Sequence, residues 1–392
     1  MIKYDFKITK LFLSEYDKLI VPGVKSSIQD LISTSPNSCK SRLMNLFTDK
    51  FIESLLKCKP EDLEFYIETI YNNLPELSDL YYPAYNLRSI NLTESDLDMR
   101  ADQSNETYYE KLRTSTAYNL VKNNPNSNLS KYLADTLWSA KDRSESKSAL
   151  KKVLSYKQGA MPNSKFIANS PSLFLNWAKD FSDCFDYECL RDKLGYEFIL
   201  DLDIDICLYC NKEEINTILG DDGRYKADLD HFHPKSKFPF LAVTLSNLIP
   251  SGEKCNQRFK RDKTMFDHAH PYIEGVKNDP LFSISPTQLG SKLNKNNFKI
   301  NIEEQGGGLD NNIDMFAIKS AYNQNLQIRT WVVATHSKAE FFKNFGLNIE
   351  VELKKTHNMI YVDLNEQSHK VYAKKFKVDI INKIASSKIK FS

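Results

Sequence analysis

Cys207-Leu208-Tyr209-Cys210, Asp228-Leu229-Asp230-His231-Phe232-His233-Pro234-Lys235, Ser246-Asn247-Leu248-Ile249-Pro250 and Lys254-Cys255-Asn256 follow one another between Ile206 and Lys263, and this stretch decides the fold. Two thiolates on one tight turn can enter the same tetrahedral metal shell. An adjacent carboxylate and imidazole, as in Asp230-His231, suit a hard cation beside a general base. The closing run of Arg258, Lys260, Arg261 and Lys263 suits phosphate. From Lys226 to Lys263 eight Lys or Arg face four Asp or Glu, whereas the whole chain carries only +2. A polycation coating nucleic acid is therefore excluded, and any attraction for phosphate is local.

In this order the residues resemble the ββα-metal core of HNH endonucleases, and more narrowly the HNH nuclease subunits of Septu- and retron-type bacterial defence systems. The matching pattern is Cys-x-Tyr-Cys-Asn, Leu-Asp-His-Phe-x-Pro-Lys-Ser, Asn-Leu-Ile-Pro-Ser and Cys-Asn, over roughly a sixth of the chain; motif matches of this kind need structural context. The resemblance implies that Asp230 binds catalytic Mg2+ or Mn2+ and that Asn256, on the first turn of the following helix, supplies a second oxygen. It implies that His231 accepts a proton from the attacking water, an imidazole titrating near neutral pH. Asn247 then holds the hairpin backbone and keeps His231 in line. The expected products are a 5′ phosphate and a 3′ hydroxyl. The implied substrate is DNA, in antiphage defence beside a partner ATPase.

Around these residues the sequence leaves several readings open. Asp228 shares a strand face with Asp230 and suits either a metal-bound water or plain solvation. His233, Tyr209, Phe232, Phe238 and Phe240 read as packing for the hairpin. Arg258, Lys260, Arg261 and Lys263 read equally as phosphate contacts or as a solvated helix face. An RNA (tRNA)-cleaving enzyme would use the same core, and a non-catalytic zinc-stapled module that binds nucleic acid is the third class.

The family's second thiolate pair is incomplete here, because Gly252 stands where its first cysteine belongs. Cys207, Cys210 and Cys255 are left for a structural zinc that wants four ligands. The fourth comes from elsewhere, with His268, His270 or an acid as candidates, or the three cysteines are buried without metal.

The remainder of the chain reads as α+β. At 392 residues it exceeds one typical domain, and 41% hydrophobic residues suffice for packed cores. Seven cysteines, odd in number and scattered, suggest reduced thiols in a cytoplasm rather than a disulfide framework. Met1 to Leu13 has no long apolar core, and no apolar run approaches the roughly 18 residues of a membrane span. Helical periodicity marks Leu43–Cys58, Glu61–Leu74, Tyr108–Lys122, Leu129–Trp138 and Phe174–Leu194, the last with Gly195 as a stop. Ile2–Leu13 suits an edge strand, and Asn297–Glu304 alternates as a strand before the Gly306-Gly307-Gly308 turn. Phe316–Phe345 predicts one helix or two, and His369–Lys383 another with a solvated lysine-rich surface. The charged stretch Asp142–Lys152 and the Gly, Pro and Ser-rich segment after it mark a boundary. The expected division is a helical N-terminal region at 1–157, a nuclease module at 158–285 with its core at 206–263, and an α-rich region with a short hairpin at 286–392.

Overall fold

The computed structural model describes residues 1–98, 104–215, 217–220, 223–288, 292–355 and 362–385. Among them, helices dominate and three two-stranded antiparallel sheets complete an α+β chain. The chain divides into two units, each drawn from separated stretches. One comprises Met1–Tyr16, Arg191–Phe232 and Ser246–Ser392; the other comprises Asp17–Leu190 and His233–Leu245. The cuts expected at 157 and 285 fall inside these units, because composition marks polar surface whereas burial and pairing bind distant segments together.

In the helical unit, local capping sets boundaries that periodicity missed. Thr48 accepts a hydrogen bond from the Phe51 N–H at 3.2 Å and splits the expected Leu43–Cys58 helix into Asn37–Leu46 and Asp49–Leu56. The charged stretch taken for a boundary is instead the start of the helix Arg143–Lys157. Its cap, Asp142, accepts from the Glu145 N–H at 2.8 Å, and the Glu145 carboxylate reaches back to the Lys141 N–H at 2.7 Å. Ala149, Leu150 and Val153 turn the other face of that helix into the core.

In the unit that begins with Met1–Tyr16, the expected edge strand at Ile2–Leu13 is not a named strand. Ile2 donates to the Leu208 carbonyl at 3.0 Å and Tyr4 to the Pro271 carbonyl at 2.9 Å before a helix begins at Lys10. The helix Tyr187–Leu202 runs through Gly195 and stops before Asp203, whose φ is 52°. Strand β1 (Ile218–Gly220) pairs with β2 (Gly223–Tyr225), and β3 (Asp228–His231) pairs with β4 (Leu248–Ser251) in the register Asp228↔Ser251 to His231↔Leu248. The hairpin of β5 (Phe282–Pro286) and β6 (Phe298–Ile302) follows.

The Phe316–Phe345 stretch is two helices, Ile318–Asn323 and Leu326–Asn344, with Asn325 capping the second through the Ile328 N–H at 2.9 Å. The last helix, Lys374–Ala385, packs Phe376, Val378, Ile380 and Ile381 inward. Three of its four lysines leave the solvated surface that their number suggested: Lys374, Lys375 and Lys377 are buried, Lys375 pairing with Asp379 at 2.9 Å, and Lys383 alone is exposed. Burial pushes the Lys377 ammonium down to about 8. Among the described residues no helix is long and apolar enough to cross a membrane.

Candidate metal centre and hairpin site

The Cys207–Cys210 turn is built by the backbone. Cys207 donates to the Glu213 carbonyl at 2.9 Å, Asn211 donates to the Cys207 carbonyl at 2.8 Å, and Ile206 bridges Glu214. Asn211 takes φ of 52°, a left-handed position that asparagine tolerates better than most residues. Its amide donates to the Ser368 carbonyl at 3.1 Å, while Tyr322 donates to the Cys210 carbonyl at 2.9 Å. Cys255 enters from the first turn of the helix Lys254–Lys260. All three cysteines are buried, and their sulfurs lie within 4.8 Å of one another. A tetrahedral zinc with Zn–S near 2.3 Å separates its sulfurs by roughly 3.8 Å, so the trio is close enough to hold such an ion.

The three thiols are not equivalent. Hydrogen bonds from Cys207 and Cys255 hold the Cys210 thiolate and push its pKa down. Burial pushes Cys207 up, and hydrogen bonding to Cys207 and Cys210 does the same for Cys255. Neither His268 nor His270 joins the sulfurs. His270 accepts the Tyr272 N–H at Nδ1, 3.1 Å away, and its ring packs on Phe232 with centroids 4.2 Å apart. Burial lowers it to about 3, so it stays neutral.

The hairpin β3–β4 leads into the helix Lys254–Lys260, giving the strand, strand, helix order that the sequence implies. That helix is wound as a π-helix, closed by the Arg261 N–H to the Asn256 carbonyl at 2.8 Å, a rare winding that occurs frequently at functional sites. Asp228 and Asp230 share one strand face. Asp230 is 2% exposed, and both of its oxygens are engaged: Oδ2 accepts from the Tyr209 hydroxyl at 2.6 Å and Oδ1 from Lys260 Nζ at 2.9 Å. Lys260 is fully buried and donates its other bond to the His231 carbonyl at 2.5 Å. The partly exposed Asp228 instead receives the side-chain amides of Asn256 at 3.1 Å and Gln257 at 2.9 Å on Oδ2. His231 closes β3 and is 8% exposed. The main chain just beyond it is tied down where Phe232 donates to the Asn247 carbonyl at 2.8 Å, and Asn247 itself is buried.

These positions change three sequence assignments. Lys260 is not a phosphate contact; it neutralises Asp230. Arg258, Arg261 and Lys263 are exposed, but Arg261 and Lys263 lie beyond the helix rather than on it. Asn256 meets Asp228 rather than Asp230. A divalent ion at Asp230 would face an ammonium 2.9 Å from the same carboxylate, so the donor set does not fit there. The carboxylate of Asp228 and the amide oxygen of Asn256 are hard donors of the kind Mg2+ or Mn2+ takes; they would fit such an ion once the Asn256 amide, which now donates to Asp228 Oδ2, turns its oxygen toward it. Sequence reasoning missed the Tyr209 hydroxyl and Gln257, and it named Lys260 for phosphate rather than for Asp230. The one available signal was that Tyr209 lies on a turn with both neighbouring cysteines committed.

No family model, no curated protein and no solved structure matches the chain.

Proposed function

We propose that the chain is a metal-dependent HNH-type endonuclease that hydrolyses phosphodiester bonds, DNA before RNA. The observation that carries this reading is the contact between Asn256, on the helix, and Asp228, on the strand that also bears Asp230 and His231. It ties the helix to the first strand of the hairpin through side chains, and backbone pairing ties that strand to the second. Asp228 and Asn256 would hold Mg2+ or Mn2+, which supplies Lewis-acid stabilisation of charge on the scissile phosphate. His231 accepts the proton of the attacking water, and Asn247 fixes the backbone next to it. Lys260 balances Asp230, which keeps the strand face from repelling phosphate, while Arg258, Arg261 and Lys263 offer exposed cations to the flanking backbone. The role in defence and the ATPase partner rest on the family resemblance alone.

The test is incubation of purified protein with duplex DNA, single strands and tRNA, each with Mg2+ or Mn2+. His231→Ala and Asp228→Ala should both abolish cleavage, and full activity in His231→Ala removes the reading. The Lys260–Asp230 pair favours one other function, a zinc-stapled nucleic-acid-binding module without catalysis, because it leaves Asp230 committed to structure. DNA binding without cleavage under any metal would select it.

A further inference from the structure

We infer that Glu213 is the fourth ligand of a Cys207–Cys210–Cys255 zinc centre, taking by its carboxylate the corner that Gly252 leaves without a thiol. The inference concerns the zinc and stands whether or not the hairpin cuts nucleic acid. Four observations put Glu213 beside that corner. An ideal Cβ built on Gly252 would overlap the Glu213 carboxyl group, so that group occupies the volume a cysteine side chain at 252 would fill. Gly252 borders the sulfurs directly, since its N–H hydrogen-bonds the Cys207 thiol. The Glu213 main chain is fixed to both members of the turn, its carbonyl accepting from Cys207 N–H at 2.9 Å and its N–H reaching the Cys210 sulfur. The Glu213 carboxylate also accepts the Lys254 N–H at 3.4 Å, beside Cys255.

Glycine and glutamate are thus complementary at this corner: the missing Cβ at 252 makes the room and the side chain of 213 fills it. Zinc accepts carboxylate oxygen at roughly 2.0–2.2 Å beside thiolates, so a three-sulfur, one-oxygen shell is chemically ordinary. A rotation of the Glu213 side chain toward the sulfurs would complete it; among the described residues the three sulfurs alone lie within 4.8 Å of one another. The arrangement also explains why neither His268 nor His270 is recruited.

The test uses the full chain. Zinc content is measured on purified wild type, zinc affinity by competition with a chromophoric chelator, and shell composition by Co2+ substitution, whose visible bands distinguish three thiolates from four. The expected result is one zinc per chain in wild type with a three-thiolate cobalt spectrum, and an affinity loss of about a hundredfold or more in Glu213→Ala, above the 10–100-fold typical of losing an outer-shell partner. Gly252→Cys combined with Glu213→Ala should regain the affinity and shift the cobalt spectrum to four thiolates. Glu213→Gln keeps the side-chain shape and should lose affinity in a chain whose circular dichroism matches wild type. Wild-type affinity in Glu213→Ala, or wild-type protein that holds no zinc when prepared with it, overturns the inference.

Discussion

Lys260→Met is the most informative single change, because it removes one charge of a pair sealed inside the ββα element while keeping the volume of the stem. Asp230 is 2% exposed and would keep only the Tyr209 hydrogen bond at 2.6 Å, so a carboxylate would be left buried without a counter-charge. Removing one partner of such a pair costs about 3–5 kcal/mol, most of it the penalty of the orphaned charge. Asp230→Asn should cost a similar amount, since it leaves the fully buried ammonium with neutral acceptors alone and no counter-charge. The double variant removes both charges, and the two losses should fail to add by about 2 kcal/mol. Urea unfolding of the four proteins, followed by circular dichroism, measures this cycle. Single variants that each lose less than about 1 kcal/mol and simply add would refute the buried-pair reasoning. The same variant also locates the hard ion. If Asp228 and Asn256 hold it, Lys260→Met leaves Mn2+ affinity unchanged, whereas a ligand role for Asp230 predicts tighter binding once the competing ammonium is gone.

Acid should destabilise the chain through His270: its folded value of about 3 lies below the ordinary 6.5, so the unfolded chain takes up the proton first. This stability is fully present above pH 6.5 and falls as pH drops toward 3, by about 2 kcal/mol at pH 5; His270→Phe should flatten the melting-temperature profile between pH 6.5 and 4. Gly275→Ala and Gly195→Ala form a second contrast. At 275 a Cβ meets the main chain of Ile2 and Lys3, which cannot yield without breaking the Ile2–Leu208 hydrogen bond, so thermal melting should show a loss of at least about 2 kcal/mol. At 195 it meets the flexible end of Lys226, 2.5 Å away, and the loss should stay below about 1 kcal/mol; equal losses at the two sites would contradict this. Tyr272→Phe removes the hydroxyl that donates to the Leu248 carbonyl at 2.7 Å and should cost about 1 kcal/mol, with amide exchange accelerating along β4.

The order of the ββα element was legible because its signals are local. Asp230-His231 before Pro234, Asn247-Leu248 at the hairpin return and Cys255-Asn256 opening a helix each fix a short piece of chain, and pairing of Asp228 with Ser251 follows once the hairpin closes. The cysteine trio was legible for the same reason, since a tight turn brings two thiols together and one helix adds the third. What could not be read was which group stands opposite each side chain. Alternation puts Asp228 and Asp230 on one face, but nothing in their spacing says that Lys260 fills the space over one and Asn256 the space over the other. That choice is made where the π-wound helix Lys254–Lys260 carries Lys260 at its end, its ammonium on Asp230 and the His231 carbonyl. Lysines in a row look solvated when counted, yet Lys260, Lys374 and Lys375 are all buried, each with a carboxylate or carbonyl in reach. Burying an ammonium is costly unless it is paired, so each of these pairs marks a place where the fold spends stability on a fixed charge. At Asp230 that charge sits where the sequence alone put a metal ion, so chemistry at this hairpin turns on whether Asp228 and Asn256 hold the cation instead, rather than on the presence of the motif.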